Sequence, residues 1–166
     1  MSQAALHPAG RSTSDLGGMG ATMGRALFAG VIATAIVSAL IYVNVTMGFV
    51  PRLDMLGEIA AFNARIGLPA GEMAVWITHV VVGALVFALA FALLEPILPG
   101  RGFGAGLFFG AVTFLVMMVT VMPLAGREIF AQDLGPEAIG AALGLNLVYG
   151  GVLGGTYALL GEVAEP

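Results

Sequence analysis

The chain of 166 residues is 59% hydrophobic and only 10% charged, with a mean hydropathy of +1.01, whereas a soluble domain averages about 45–50% apolar and about 25% charged. Cysteine is absent, which excludes a disulfide framework, a CxxC redox pair and a thiolate metal site. Six basic residues, all arginine, against ten acidic ones give a net charge of −4, too little positive charge to neutralise a nucleic-acid backbone.

Residues 1–24, rich in Ala, Gly and Ser, have little to pack and are expected to be a disordered tail. No signal peptide is expected, because the first apolar run outlasts an h-region of about 7–15 residues. Residues 25–162 then form one membrane domain. No charged residue occurs within 26–51, 73–94, 102–126 or 138–161. The shortest of these stretches has 22 residues, and as a helix it rises about 33 Å, enough to cross a hydrocarbon core of about 30 Å. A soluble bundle needs a charged outer stripe on each helix, and these stretches have none. The fold class is therefore all-α and membrane-embedded, with four transmembrane helices at about 26–48, 73–94, 103–123 and 139–160.

The connections differ in kind. Between the first two spans, Leu53, Leu56, Ile59, Ala60, Phe62 and Ile66 recur at helical spacing, which predicts a short amphipathic helix in the membrane interface. Asp54 and Glu58, four residues apart on it, are expected to lie on a solvated face. Pro96, Pro99, Gly100 and Gly102 punctuate a tight hairpin between spans two and three, which would make these antiparallel neighbours. The third connection, 127–137, is acidic and contains Leu134-Gly135-Pro136.

A shift of 67 residues aligns His79 with Asn146, Gly83 with Gly150 and Glu95 with Glu162. A shift of 76 aligns Gly24-Arg25 with Gly100-Arg101 and Ala29-Gly30 with Ala105-Gly106. The spans thus read as two tandem helical hairpins related by an axis along the membrane normal. Small residues should carry their packing, since lipid tails give helices no hydrophobic reason to associate. Gly30, Thr34 and Ser38 form such a stripe on span one, and Ala84, Ala88 and Ala92 on span two, joined by Gly83. Gly106 and Gly110 do so on span three, and Gly140, Gly144, Gly150, Gly151 and Gly155 on span four. Span four, with most glycine, is expected to be the most buried or to meet a partner.

Asn44, His79, Thr120 and Asn146 all fall roughly 10–14 Å from the same membrane face by helical rise. Thr78, Thr46, Met47, Met118 and Met122 lie near that depth. His79 is the one ionisable side chain inside the four stretches apart from tyrosines, and intramembrane ionisable groups usually face a bundle interior. This polar belt admits three readings. Its members could hydrogen-bond across helices as structural contacts. They could line a pocket or passage for a cationic or neutral solute or a proton, under acidic loops. Or His79 with Met118 or Met122 could hold haem or copper. Sequence signatures of metalloproteases, serine hydrolases and phosphate-binding loops are missing, so no enzyme is expected.

Val121-Met122-Pro123-Leu124-Ala125-Gly126, Ile129-Phe130, Leu134-Gly135-Pro136 and the stretch 146–155 (NLVYGGVLGG) resemble a group of small prokaryotic four-helix membrane proteins. Trp76-Ile77-Thr78-His79 and Gly83 fit the same pattern. That group is catalogued as a domain of unknown function and is similar to the YagU-like inner-membrane proteins. The likeness spans about residues 25–160 and implies a bacterial inner-membrane protein with no established activity. In such proteins histidine often stands where this chain has Asn146, so the resemblance weakens a paired-histidine metal site here.

Together these readings lead to a non-enzymatic accessory or interaction subunit, with no cofactor and with lipid as its surroundings. Its partners would be a second copy or a larger membrane complex. A solute or proton carrier built on His79 is the alternative, and a haem or copper subunit the third. Arg11, Arg25 and Arg101 on one face balance Arg52, Arg65 and Arg127 on the other. Two arginines ahead of the first span tip the expectation towards cytoplasmic termini.

Overall fold

Residues 13–164 are described by a computed structural model, and they contain helices and no strand. Helix α1 runs Thr13–Met47, α2 Met55–Arg65, α3 Glu72–Ile97, α4 Phe103–Leu124 and α5 Pro136–Ala164. A 3₁₀ stretch, Ile129–Leu134, connects α4 to α5. Helices α1, α3, α4 and α5 are each long and apolar enough to cross a membrane. The chain is a multi-pass α-helical membrane protein, as its charge-free stretches required. One boundary moves. Helix α1 begins at Thr13, so the second half of the expected tail is helical; residues 1–12 lie outside the described part. Once the span has nucleated, each added residue contributes a hydrogen bond, and no proline lies between Pro8 and Pro51 to stop propagation.

Helix α5 is central. It packs along α4 and α1; α3 packs on α1 and also reaches α5 through Tyr149 and Tyr157. In its most apolar window 44% is buried, against 22% for α3, in line with its glycine content. Helices α3 and α4, although joined by the tight hairpin, make no extensive backbone approach. They meet through rings: Phe91 and Phe87 stand edge-on to Phe109, with centroids 5.4 and 6.4 Å apart. The hairpin fixes how near their ends lie, and the small residues decide which flanks associate.

Those small residues act by removing Cβ atoms. A Cβ on Gly106 would collide with the Gly150 carbonyl, one on Gly110 with the Asn146 carbonyl, and one on Gly150 with the Gly106 carbonyl. Between α1 and α3, Gly30 faces Ala84 and Ala88, and Gly83 faces the Thr34 hydroxyl. The contacts Thr34–Gly83 and Gly110–Gly150 join positions that the two sequence shifts make equivalent, so both hairpins cross at the same place. On α5 the expected stripe divides. Gly151 packs on the Phe103 ring and Gly155 reaches it only at 3.8 Å, while Gly140 and Gly144 have nothing within 4 Å. Gly154, absent from that stripe, presses on Gly106 and on the Gly102 carbonyl. Successive residues of a helix point about 100° apart, so Gly150 and Gly154 face α4 while Gly140 and Gly144 look elsewhere.

Gly150→Ala therefore puts a methyl into the α4 backbone and should cost about 1–3 kcal/mol, whereas Gly144→Ala should be neutral or slightly stabilising. Unfolding in mixed micelles with increasing sodium dodecyl sulfate measures both; equal midpoints would contradict this packing.

Candidate functional site

On the side of the two longer loops α3 and α4 diverge, and α2 lies across the opening against the start of α3 and the end of α4. Its position follows from its ends. Gly48 (φ 66°) ends α1, and the Asn44 side chain closes the following turn, its Oδ1 accepting from Val50 N (2.8 Å) and its Nδ2 donating to Val50 O and Leu53 O. Asp54 then caps α2 by accepting from Gly57 N at 2.9 Å. Beyond α2, Leu68 N donates to Asn63 O and Gly67 N to Ala64 O, with Gly67 at φ 78°, which turns the chain back into α3.

Of the two acids expected on a solvated face of α2, Asp54 is exposed but Glu58 is not. Glu58 is 4% exposed and Asn63 fully buried. Arg127 donates from Nη2 and Nε to Glu58 Oε1 (2.7 and 2.9 Å) and from Nη1 to Asp133 (3.0 Å). The Glu58 hydrogen bond is the main reason the Arg127 guanidinium is held above its already high range, against the opposing effect of burial, with the Glu58 and Asp133 charges adding to the rise. A raised value means the contribution is in place below the ordinary arginine range and lost only as pH rises through the raised one. Asn63 donates from Nδ2 to Thr78 Oγ1 (2.9 Å) and to Pro69 O (3.1 Å). Helix α2 is thus a strap tied to α3 at one end and to the α4–α5 connection at the other. The Arg127 end is itself fixed by the left-handed Gly126 (φ 92°), with Arg127 N donating to Met122 O.

Beneath the strap is a cavity of about 250 Å³. Met55, Ile59 and Phe62 of α2 roof it, and α1, α3, α4 and α5 supply its walls. Phe87 stands edge-on to Tyr149 (6.2 Å) at its inner end. None of its lining residues is Asp, Glu, Lys or Arg. The polar groups on it are Thr34, Thr78, His79, Asn146 and Tyr149. His79 Nε2 shares a hydrogen bond with Ser38 Oγ (3.0 Å), and its ring lies edge-on to Trp76 at 5.8 Å. The Thr113 hydroxyl donates to Asn146 Oδ1 (3.2 Å), and Asn146 Nδ2 to Ala142 O (2.9 Å). The Thr34 hydroxyl is buried and has no hydrogen-bond partner.

Two helix segments on the wall are π-helical, Val81–Phe87 in α3 and Met117–Val121 in α4. Such widenings leave backbone carbonyls short of partners, and in lipid these must be supplied by side chains. Tyr149 donates its hydroxyl to Gly83 O at 2.6 Å, and Thr120 to Val116 O at 2.6 Å.

The expected polar belt converges in part. His79, Thr78 and Asn146 reach the cavity, Asn44 closes a turn, Thr120 repairs its own exposed helix, and Thr46 binds the Tyr42 and Val43 carbonyls. Met118 and Met122 are packed with Leu53, Phe114 and Ala138 in a buried cluster. Sequence reading missed Ser38, Asn63, Tyr149 and the Glu58–Arg127 pair as parts of the site. Tyr149 had a signal, since a buried tyrosine hydroxyl needs a partner; Asn63 had one as an amide within an apolar run.

These features define a multi-pass helical membrane protein with a strapped, uncharged intramembrane cavity. The chain belongs to a family of unknown function, DUF6789, whose model matches residues 21–166. No curated protein and no solved structure matches it.

Arg127→Leu strands the buried Glu58 carboxylate and should cost about 1–3 kcal/mol, towards the low end because the Arg127 side chain is 37% exposed and reachable by water. Glu58→Leu removes both the charge and its need for a partner and should cost less than half as much. Thermal midpoints in detergent compare them; the reverse order would show that the pair does not hold the strap.

Proposed function

We propose that the protein binds, without converting it, a small neutral lipophilic molecule bearing one hydrogen-bonding group. The observation that carries this reading is an uncharged cavity lined by Thr34, whose buried hydroxyl has no hydrogen-bond partner. A buried hydroxyl without a partner costs about 1–3 kcal/mol, a loss that a ligand oxygen or nitrogen would repair. The space measures about 250 Å³. By comparison with a cavity of about 150 Å³ that takes benzene, an occupant of roughly ten non-hydrogen atoms fits. The lining favours neutral molecules, even though acidic residues stand in the loops above.

Trp76, the one tryptophan of the chain, adjoins His79 and reports on occupancy. In detergent, 4-bromophenol should quench its fluorescence saturably. Thr34→Val should weaken that probe about fivefold, leave bromobenzene unaffected, and raise the thermal midpoint of the ligand-free protein. Quenching that rises linearly without saturation, or equal behaviour of both probes in the variant, would sink the idea.

An accessory role in a homo-oligomer or larger complex draws support from a different place, the uncovered Gly140 and Gly144 on α5. The natural absence of cysteine makes the test direct: single cysteines at these positions should cross-link into dimers in native membranes, and monomer alone would dismiss it. We further propose the bacterial inner membrane, with both termini cytoplasmic, as its location. The resemblance and the arginines preceding the first span support this, and accessibility of a cysteine at position 3 in intact cells tests the orientation.

A further inference from the structure

At the opposite end of the bundle from the strap is a second recess, of about 580 Å³, between α1, α5 and the α3–α4 hairpin. Four charged side chains line it: Arg25, Arg101, Glu95 and Glu162. Each is the first charge reached on leaving one of the four uncharged stretches at this face. The recess therefore lies where hydrocarbon gives way to headgroups.

Two arginines and two glutamates sharing one recess would ordinarily neutralise each other. Here no two of them form an ion pair; both ion pairs among the described residues belong to Arg127 at the other face. Arg25 is nonetheless held in place. Its guanidinium carbon sits over the Tyr157 ring, 5.2 Å from the centroid, and its Nε is buried without a hydrogen-bond partner. A Cβ on Gly161 would lie 2.7 Å from its Nη1, so the missing side chain at that position makes its berth. Gly102 similarly opens the α4 side, where a Cβ would touch Ala158 at 3.0 Å.

We propose that this recess binds the headgroup of a zwitterionic phospholipid bearing a primary ammonium, a phosphoethanolamine. Arg25 and Arg101 would receive the phosphodiester, for which guanidinium geometry is suited. Glu95 and Glu162 would accept hydrogen bonds from the ammonium. Headgroups with no cation leave the two carboxylates facing an anion and are disfavoured, and a quaternary ammonium cannot donate to them. This site is separate from the strapped cavity and does not depend on what the cavity holds.

Native mass spectrometry of the detergent-solubilised protein tests it, with phosphatidylethanolamine, phosphatidylglycerol and phosphatidylcholine of identical acyl chains. Phosphatidylethanolamine should bind at least about fivefold more tightly than either of the others, and Arg101→Gln should weaken it about fivefold. Glu95→Gln/Glu162→Gln should bring phosphatidylethanolamine and phosphatidylglycerol to within about twofold of each other, a change of preference that a general loss of packing would not give. Equal binding of the three lipids to the unaltered protein, or an unchanged preference in the double variant, would overturn the assignment. Soluble glycerophosphoethanolamine provides the second arm. Stabilisation by it equal to that by the lipid would mean a water-borne phosphate ester and refute the lipid, whereas stabilisation by the lipid alone supports it.

Discussion

Lipid offers a backbone no hydrogen bonds, and everything in this molecule follows from that. Each of the four uncharged stretches has to satisfy its own amides and carbonyls, so each is helical over most of its length. Once that is settled, hydrophobicity no longer chooses neighbours, because a leucine is as well solvated by acyl chains as by another helix. Selection passes to shape. Where Gly106, Gly110, Gly150 and Gly154 let two backbones touch, α4 and α5 lock together; where Gly30 and Gly83 meet Ala84, Ala88 and Thr34, α1 and α3 do so. The flanks of α3 and α4 offer one another no such stripe, and a cavity opens between them.

The same accounting explains the irregular parts. A π-helical turn leaves carbonyls without their usual amide, and both such turns border the cavity. Tyr149 gives the Gly83 carbonyl a hydroxyl donor, and Thr120 does the same for Val116. One of these hydroxyls crosses from α5 to α3, so it also links the second hairpin to the first. The Thr34 hydroxyl has no such duty, and that distinguishes it from the other polar groups on the wall.

How far the sequence could be read depended on which coordinate a feature occupied. Depth was legible: charge placement located all four spans, and α4 starts at Phe103 as expected. Direction around a helix was not. Thr120 and Asn146 stand at comparable depths, yet one faces outward and the other inward, and hydropathy is blind to that difference. Gly140 and Gly150 are likewise equivalent to a composition argument, and only the crossing with α4 separates them. Glu58 was misread for a related reason. A carboxylate on a short interfacial helix is ordinarily solvated, but its partner, Arg127, lies a whole hairpin away in the chain. The π turns carry no residue signature at all.

The central position of α5 has a consequence for biogenesis. Ala26, Ala29 and Ala33 of α1 are completely buried, and α5 is one of the two helices against which α1 lies. Made before α5, α1 thus has to remain in the bilayer, with one flank covered only by lipid, until α5 has been inserted. By contrast, α4 and α5 are joined by a short connection and can pair as soon as both emerge. Translation order and packing order run against each other in this molecule, and the time between them is a window in which a membrane-resident chaperone would find α1 half dressed.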